Sequence, residues 1–404
     1  MEEQDCAQKV LALRGDYMPR ISRTTYIIIL LGIVSLFADF TYEGGRSIIP
    51  QFFTTTLGGS VSLLGIVVGL ADFIGYGFRI VSGRLVDRTR KYWALIFSGY
   101  AINLASLPLL AITGNYWIAA VLIFSERFGK AVRSPPKDFV VSTLAKSGRV
   151  GRAFMINQAL DQTGAVMGAI AMSVVLLLGY GYRVGFAILA VPALLSMAFL
   201  FVSYRRYMAA RLPRRKVSAA AGLTKGQFLL YSAGVGISAA GLYNVAFMLY
   251  GSQAVASRFV IPLIFLVAMI GEGAFGALFG FLYDRMGKNL AYFGLLFAIA
   301  IPMAIAVPSL TAFVIGALLF GAAMGIHDTV MRSVVGDLVK KENRGYAFGV
   351  FNALYGSGLF IASAVVGIMY SSSAFITYYI AAMQAIAAVI MFISFRRPTG
   401  KAIG

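Results

Sequence analysis

The sequence predicts an all-α membrane protein with twelve transmembrane helices in two six-helix bundles related by a pseudo-two-fold axis. Three observations predict it. The 404 residues are 59% hydrophobic and only 13% charged, with a mean hydropathy of +0.81, whereas a soluble domain is nearer half apolar and about a quarter charged. The apolar residues run uninterrupted for about twenty positions, the length of a helix crossing hydrocarbon, and not in the alternating segments of about ten that build an outer-membrane barrel. Finally, motifs recur across the chain at nearly one offset.

Gly, Pro and charge clusters punctuate the apolar runs. The spans fall at about 25–48, 61–82, 92–113, 115–136, 153–178 and 183–204, then at 227–250, 259–283, 289–307, 310–334, 345–370 and 374–395. The expected organisation is an N-terminal tail (1–24), a six-helix bundle (25–204), a basic linker (205–226), a second bundle (227–395) and a C-terminal tail (396–404). The first span follows a mixed-charge tail and lacks a small-residue cleavage site, so it reads as a helix and not as a cleaved signal.

Of the 35 Lys and Arg, thirty fall in the tails and alternate loops that share one side, with Lys130, Arg133 and Lys137 counted in the loop after span 4. Only Arg183 and Arg258 fall on the other side, and Arg46, Arg79 and Arg127 lie in spans. Because Lys and Arg in short loops set topology, both termini are expected in the cytoplasm of a multi-pass inner-membrane protein. The same assignment explains the net charge of +19 without nucleic acid. One Cys and one His leave no disulfide and no metal cluster.

The longest basic connection divides the spans six and six. Gly83-Arg-Leu-Val-Asp87-Arg88 after span 2 recurs as Gly280-Phe-Leu-Tyr-Asp284-Arg285 after span 8. Arg133-Ser134 with Asp138 recurs as Arg332-Ser333 with Asp337, and Gly151-Arg-Ala-Phe154 as Gly345-Tyr-Ala-Phe348. Two parallel halves follow. The loop motif has its own physical reading: Gly83 and Gly280 permit close helix approach, while Asp87 and Asp284 cap a helix start or pair with Arg88 and Arg285 as a gate at the cytoplasmic rim.

Gly-x-Leu-x-Asp-Arg-x-Gly-Lys, complete from Gly280 to Lys288 and broken by Arg90 in the first copy, resembles the signature of the major facilitator superfamily. The acidic stretch Asp39-Phe-Thr-Tyr-Glu43 and Gly-Lys-x-x-Arg-x-x-Pro-x-Asp (Gly129 to Asp138) are similar to a prokaryotic subgroup of permeases and drug-resistance exporters. The resemblance implies the fold and alternating access; it also places Arg127 where the superfamily often has a helix-4 arginine associated with proton transfer.

A charge in mid-bilayer costs about 2.5–3.5 kcal/mol on insertion scales, so ionisable residues within spans should face a cavity or one another. Asp39, Glu43 and Arg46 share one stripe of helix 1 at i, i+4 and i+7. Asp72 and Arg79 share a face of helix 2, Glu126 and Arg127 lie on helix 4, and Asp161 lies on helix 5. Two readings stay open. The residues pair into a structural seam, Glu43 with Arg46 and Asp72 or Glu126 with Arg79 or Arg127. Alternatively, five acids exceed three bases, and a surplus carboxyl carries protons or meets substrate. Asp39, Glu43, Glu126 and Asp161 lead as proton carriers. In the second half Tyr243, Asn244, Glu272, Asn352, Tyr355 and Gln384 are candidate cavity residues, with His327 read as a polar residue near a helix end. Gly164 and Gly168 form a small-xxx-small pattern on helix 5.

No Walker loop, nucleophile elbow or metal-protease motif occurs, so an enzyme is not expected, nor any cofactor. The expected protein is a monomeric secondary transporter in the lipid bilayer. It moves a small organic solute by alternating access, coupled to protons and exporting in preference to importing. An uptake permease of the same fold and a non-transporting sensor are the alternatives. A net acidic cavity hints at a cationic or amphipathic solute.

Overall fold

The computed structural model describes residues 23–89, 91–144, 150–209, 226–339 and 344–396. The expected tails and most of the linker (210–225) lie outside the described residues. The first half contains α1 (Arg23–Arg46), α2 (Val61–Thr89), α3 (Tyr92–Leu109), α4 (Tyr116–Leu144), α5 (Val150–Leu177) and α6 (Ala190–Ala209, led in by Tyr182–Ile188). The second contains α7 (Gly226–Ala240, resuming as Val245–Ser252), α8 (Ile261–Met286), α9 (Ala291–Ala304), α10 (Leu310–Ile326), α11 (Arg344–Ile368) and α12 (Ser373–Arg396). No strand occurs among the described residues.

The packing repeats when six is added to each helix number. α1 packs on α5 and α6 as α7 packs on α11 and α12; α4 packs on α2 and α3 as α10 packs on α8 and α9. The contacts between halves obey the same operation, α2 against α11 and α8 against α5. That is the pseudo-two-fold arrangement expected of two parallel repeats. Side chains wedge between backbones poorly in a bilayer, where helices associate by close packing of small residues. A Cβ at Gly164 would strike Leu36 O, and one at Gly168 would sit 2.5 Å from Phe40 O. The small-xxx-small pattern of α5 is therefore the α1–α5 crossing.

Among the described residues, ten runs are long and apolar enough to cross a membrane. One of them, Ile261–Ala304, contains both α8 and α9, while α4 fails the test. α4 also departs from the sequence expectation: it continues through Pro135 and Pro136 to Leu144, beyond the break expected at 136. Proline interrupts a helix by removing an N–H and clashing with the preceding turn. Here the acceptor that Pro135 would leave unpaired, Ala131 O, takes a hydrogen bond of 2.8 Å from Ser82 Oγ on α2, and Ser134 Oγ donates to Lys130 O at 2.7 Å. Neighbouring groups satisfy the freed backbone, the means by which spanning helices tolerate proline.

Candidate functional site

A cavity of about 330 Å³ lies between the halves, walled by α1, α2, α4 and α5 on one side and by α7, α8, α10 and α11 on the other. Four hydrogen bonds join the halves among the described residues. They are Gln51 Nε2 to Leu249 O at 3.1 Å, Ser62 Oγ to Gly367 O at 3.0 Å, Ser173 Oγ to Phe259 O at 2.7 Å and Asn244 Nδ2 to Asp72 Oδ2 at 3.3 Å. All four lie away from the basic loops, whereas the cavity reaches exposed Asp138 and Gln158 toward them. The cavity is thus bonded shut at one end and opens toward the basic end.

The extension of α4 overturns the charge count made from sequence. Lys130, Arg133 and Lys137, assigned there to a loop, fall at i, i+3 and i+7 on α4 and line the cavity. Three bases join the three counted in the first half and only Asp138 joins the five acids, so six now face six. The surplus of acid disappears, and with it the hint of a cationic solute. The apolar-run criterion missed these residues because a helix lined by charge on its cavity face is not apolar. Their spacing of three and four was the signal that could have found them.

Geometry divides the carboxylates more sharply than the count does. Arg46 Nη1 donates to both oxygens of Glu43 at 2.9 Å, with Lys130 Nζ at 4.0 Å from the same group. Arg127 Nε lies 3.4 Å from Asp72 and 3.4 Å from Glu126. Glu126 also accepts from Asn103 Nδ2 at 2.9 Å. Arg79, considered as a partner for these acids, instead donates to Gly75 O at 3.1 Å and lies 5.0 Å from the Tyr76 ring. Three inner acids then lack a basic partner within ion-pair distance among the described residues: Asp39, Asp161 and Glu272. Asp39 shares a hydrogen bond with Tyr42, and Asp161 Oδ1 is buried with no hydrogen-bond partner. All three line the cavity.

In the second half Asn244 and Glu272 line the cavity, but Tyr243, Asn352, Tyr355 and Gln384 do not. Tyr243 packs in the core against Phe247 with ring centroids 6.0 Å apart. Tyr355 is wedged against Tyr76 at 5.1 Å and Phe351 at 6.2 Å. Gln384 staples the break in α7, donating to Ser238 O at 2.9 Å and Gly241 O at 2.8 Å. His327 is buried in a π-turn (His327–Met331) that carries α10 onward, with Nε2 at 3.3 Å from Ser238 Oγ. This is no helix end: the helix resumes at Arg332–Leu338. The turn brings Asp328 and Arg332 to the cavity, paired at 2.9 Å.

The glycines of the repeated loop motif do not make a close approach. A Cβ at Gly83 would meet nothing within 4 Å, and one at Gly280 only Thr329 Cβ at 3.9 Å. Gly287 is the position where glycine is needed, since it closes α8 at φ +66°, a left-handed conformation costly for other residues. The side chain of Asp87 lies outside the described residues. Arg88, Asp284 and Arg285 are exposed, and Arg285 lies over Phe281 at 5.0 Å without pairing with Asp284. The contact at this rim is Tyr283 Oη donating to Asp337 Oδ2 at 2.6 Å.

Comparison with known proteins gives four findings. The Major Facilitator Superfamily profile matches residues 29–253 and again 229–403. A protein of Mycobacterium tuberculosis is 32% identical over 395 residues, covering 94% of this chain and 95% of the relative. Multidrug resistance protein MdtH of Salmonella typhi is 29% identical over 168 residues, 42% of this chain and 39% of its own. Among solved structures, the nucleoside transporter NupG superposes with a TM-score of 0.71 at 15% identity, covering 91% of this chain and 99% of the other. At that identity the likeness carries the fold alone.

Proposed function

The chain belongs to the major facilitator superfamily and is a multi-pass membrane transporter of that kind, and on that premise we propose that it exports a small organic solute in exchange for protons across the cytoplasmic membrane. The observation that carries this reading is the cavity shared by both halves, bonded shut at one end and open at the basic end. The basic end is the cytoplasmic end, because thirty of 35 Lys and Arg were assigned to that side, most of them in the tails and short loops. On this reading the termini are cytoplasmic and the cavity loads from within. Asp39, Asp161 and Glu272 supply the proton sites, since a carboxyl with no fixed basic partner in a partly dry cavity is free to exchange one. The partial likeness to a multidrug resistance protein supports the outward direction. The chain acts alone, as a monomer in the bilayer, with no cofactor.

Purified protein reconstituted in proteoliposomes tests this. Imposed proton gradients should drive accumulation of at least one solute from a library of small organic compounds, against its own gradient and with counterflow of protons. Transport that equilibrates solutes identically with and without a gradient would defeat the coupling. Solute moving together with protons in the same direction would defeat the exchange.

A further inference from the structure

We infer that the transported solute is amphoteric, its acidic group seated on Arg133 and Lys137 of α4 and its basic group facing Asp39 and Asp161. The inference deepens the transport reading and rests on it. Its starting point is a buried charge without a counter-charge. Arg133 is 3% exposed, yet no carboxylate lies within ion-pair distance among the described residues, and its Nε has no hydrogen-bond partner. Its guanidinium is instead held between aromatic rings, 4.2 Å from Tyr100 and 5.7 Å from Tyr42. Lys137, 7% exposed, has the hydroxyl of Ser35 as its one hydrogen-bond partner among the described residues. Two cations withdrawn from water with no anion in ion-pair contact among the described residues form a costly arrangement. It is sensible at the wall of a cavity where the missing anion arrives with a ligand, and both side chains line that cavity.

The guanidinium is positioned before any ligand comes. α3 and α4 cross backbone to backbone at Gly99 and Gly129, where a Cβ at Gly99 would lie 2.7 Å from Arg133 N and one at Gly129 2.7 Å from Gly99 O. The ring contacts leave Nε without a hydrogen-bond partner, and an arginine fork matches a carboxylate or phosphate with two parallel hydrogen bonds. The other pole lies in the same cavity: Asp39 and Asp161 are both close enough to act electrostatically on Arg133, yet neither pairs with it. A solute bearing only an acidic group would face repulsion from those carboxylates, and one bearing only an amine would leave Arg133 and Lys137 unanswered. An amine at Asp39 and Asp161 also competes with protons there, so exchange of solute for protons follows from the site.

The test uses the full chain in detergent and a panel of amino acids and short peptides, each beside the amine and the acid obtained by removing one charged group. Thermal unfolding reads binding, because a ligand of the native state raises its stability. Amphoteric members should bind more tightly than either single-charge counterpart. Arg133→Gln and Lys137→Gln should each weaken them roughly tenfold or more without weakening the amines, and Arg133→Lys should restore part of the loss. Should Arg133→Gln not fold, Lys137→Gln carries the comparison. Amines binding as tightly as their amphoteric parents, an amphoteric preference that survives both Gln variants, or no stabilisation by any member at millimolar concentration would overturn the inference. The transport reading fails separately, if amphoteric solutes bind through Arg133 but none crosses the proteoliposome membrane.

Discussion

The helix-1 stripe shows how far single residues can be read before a structure exists. Asp39, Glu43 and Arg46 share a face because a helix returns every 3.6 residues, and that face lines the cavity. Which acid is held in a pair is decided by distances between helices, which sequence spacing does not contain. Glu43 is fixed by Arg46 at 2.9 Å, and Asp72 and Glu126 share Arg127, whereas Asp39 and Asp161 have no such partner among the described residues. Replacements should therefore separate into two classes. Asp39→Asn and Asp161→Asn should abolish proton-driven accumulation in proteoliposomes, while solute exchange without a gradient persists at saturating solute with weakened affinity, since exchange moves no net proton but the lost carboxyl also faces the solute's basic group. Glu126→Gln should act on folding instead, because it weakens the partner of a buried arginine and leaves Asn103 bonded to a poorer acceptor. A lowered unfolding temperature and reduced expression are expected. Normal coupling in both Asp variants would remove them from the proton path.

At the scale of the element, α4 was the least legible helix and is the most informative. Its apolar run stops near Glu126, two prolines follow, and four bases crowd the next turns, all of which read as a helix giving way to a loop. The helix persists because Ser82 on another helix serves the carbonyl that Pro135 frees, and because its charges face a cavity where lipid is absent. Both causes are tertiary. By contrast, the other spans begin within about three residues of their expected starts, since lipid itself enforces their composition, although α2 runs seven residues past its expected end to Thr89. Tyr243, Tyr355 and Gln384 were misplaced for the same reason as the α4 bases: a polar group in a span serves a cavity or a neighbouring helix, and only packing decides. The α3–α4 crossing gives a check. A Cβ at Gly129 would collide with Asn103 N, and backbone cannot move aside as a side chain can. Gly129→Ala should cost about 1–3 kcal/mol as an overpacked contact, seen as a lowered unfolding temperature in detergent, whereas Gly83→Ala, open on all sides, should change little.

For the whole molecule the question is what holds one end shut. α7 breaks at residues 241–244, and Asn244 stands at the break as the cap of its second segment, accepting from Ala246 N at 3.0 Å. Its amide faces the other way, toward Asp72 Oδ2 at 3.3 Å and Ser363 Oγ at 3.2 Å. Asp72 is in turn the partner of Arg127, so one chain of contacts runs from the cavity wall on α4 to the closed end between the halves. Alternating access requires that these contacts be strong enough to favour one state and weak enough to be exchanged for others. Hydrogen bonds between membrane helices are worth about 0.6 kcal/mol each on average. The bond to Ser363 lies within the second half, so loss of the one to Asp72 should favour the state open at this end by about 0.6 kcal/mol, or about threefold in population. Asn244→Asp is the stronger perturbation, because it sets a second carboxylate against Asp72 while retaining the cap acceptor. The measurement is the labelling rate of a cysteine at Ala246, which lines the small pocket beneath the latch and is 6% exposed, in a background with Cys6→Ser. A membrane-impermeant maleimide added outside whole cells should label this cysteine several-fold faster in Asn244→Ala, and faster still in Asn244→Asp. Equal rates in all three proteins would mean that the closed end is held by the α2–α11 and α5–α8 packing alone, with the Asp72–Asn244 contact a passenger.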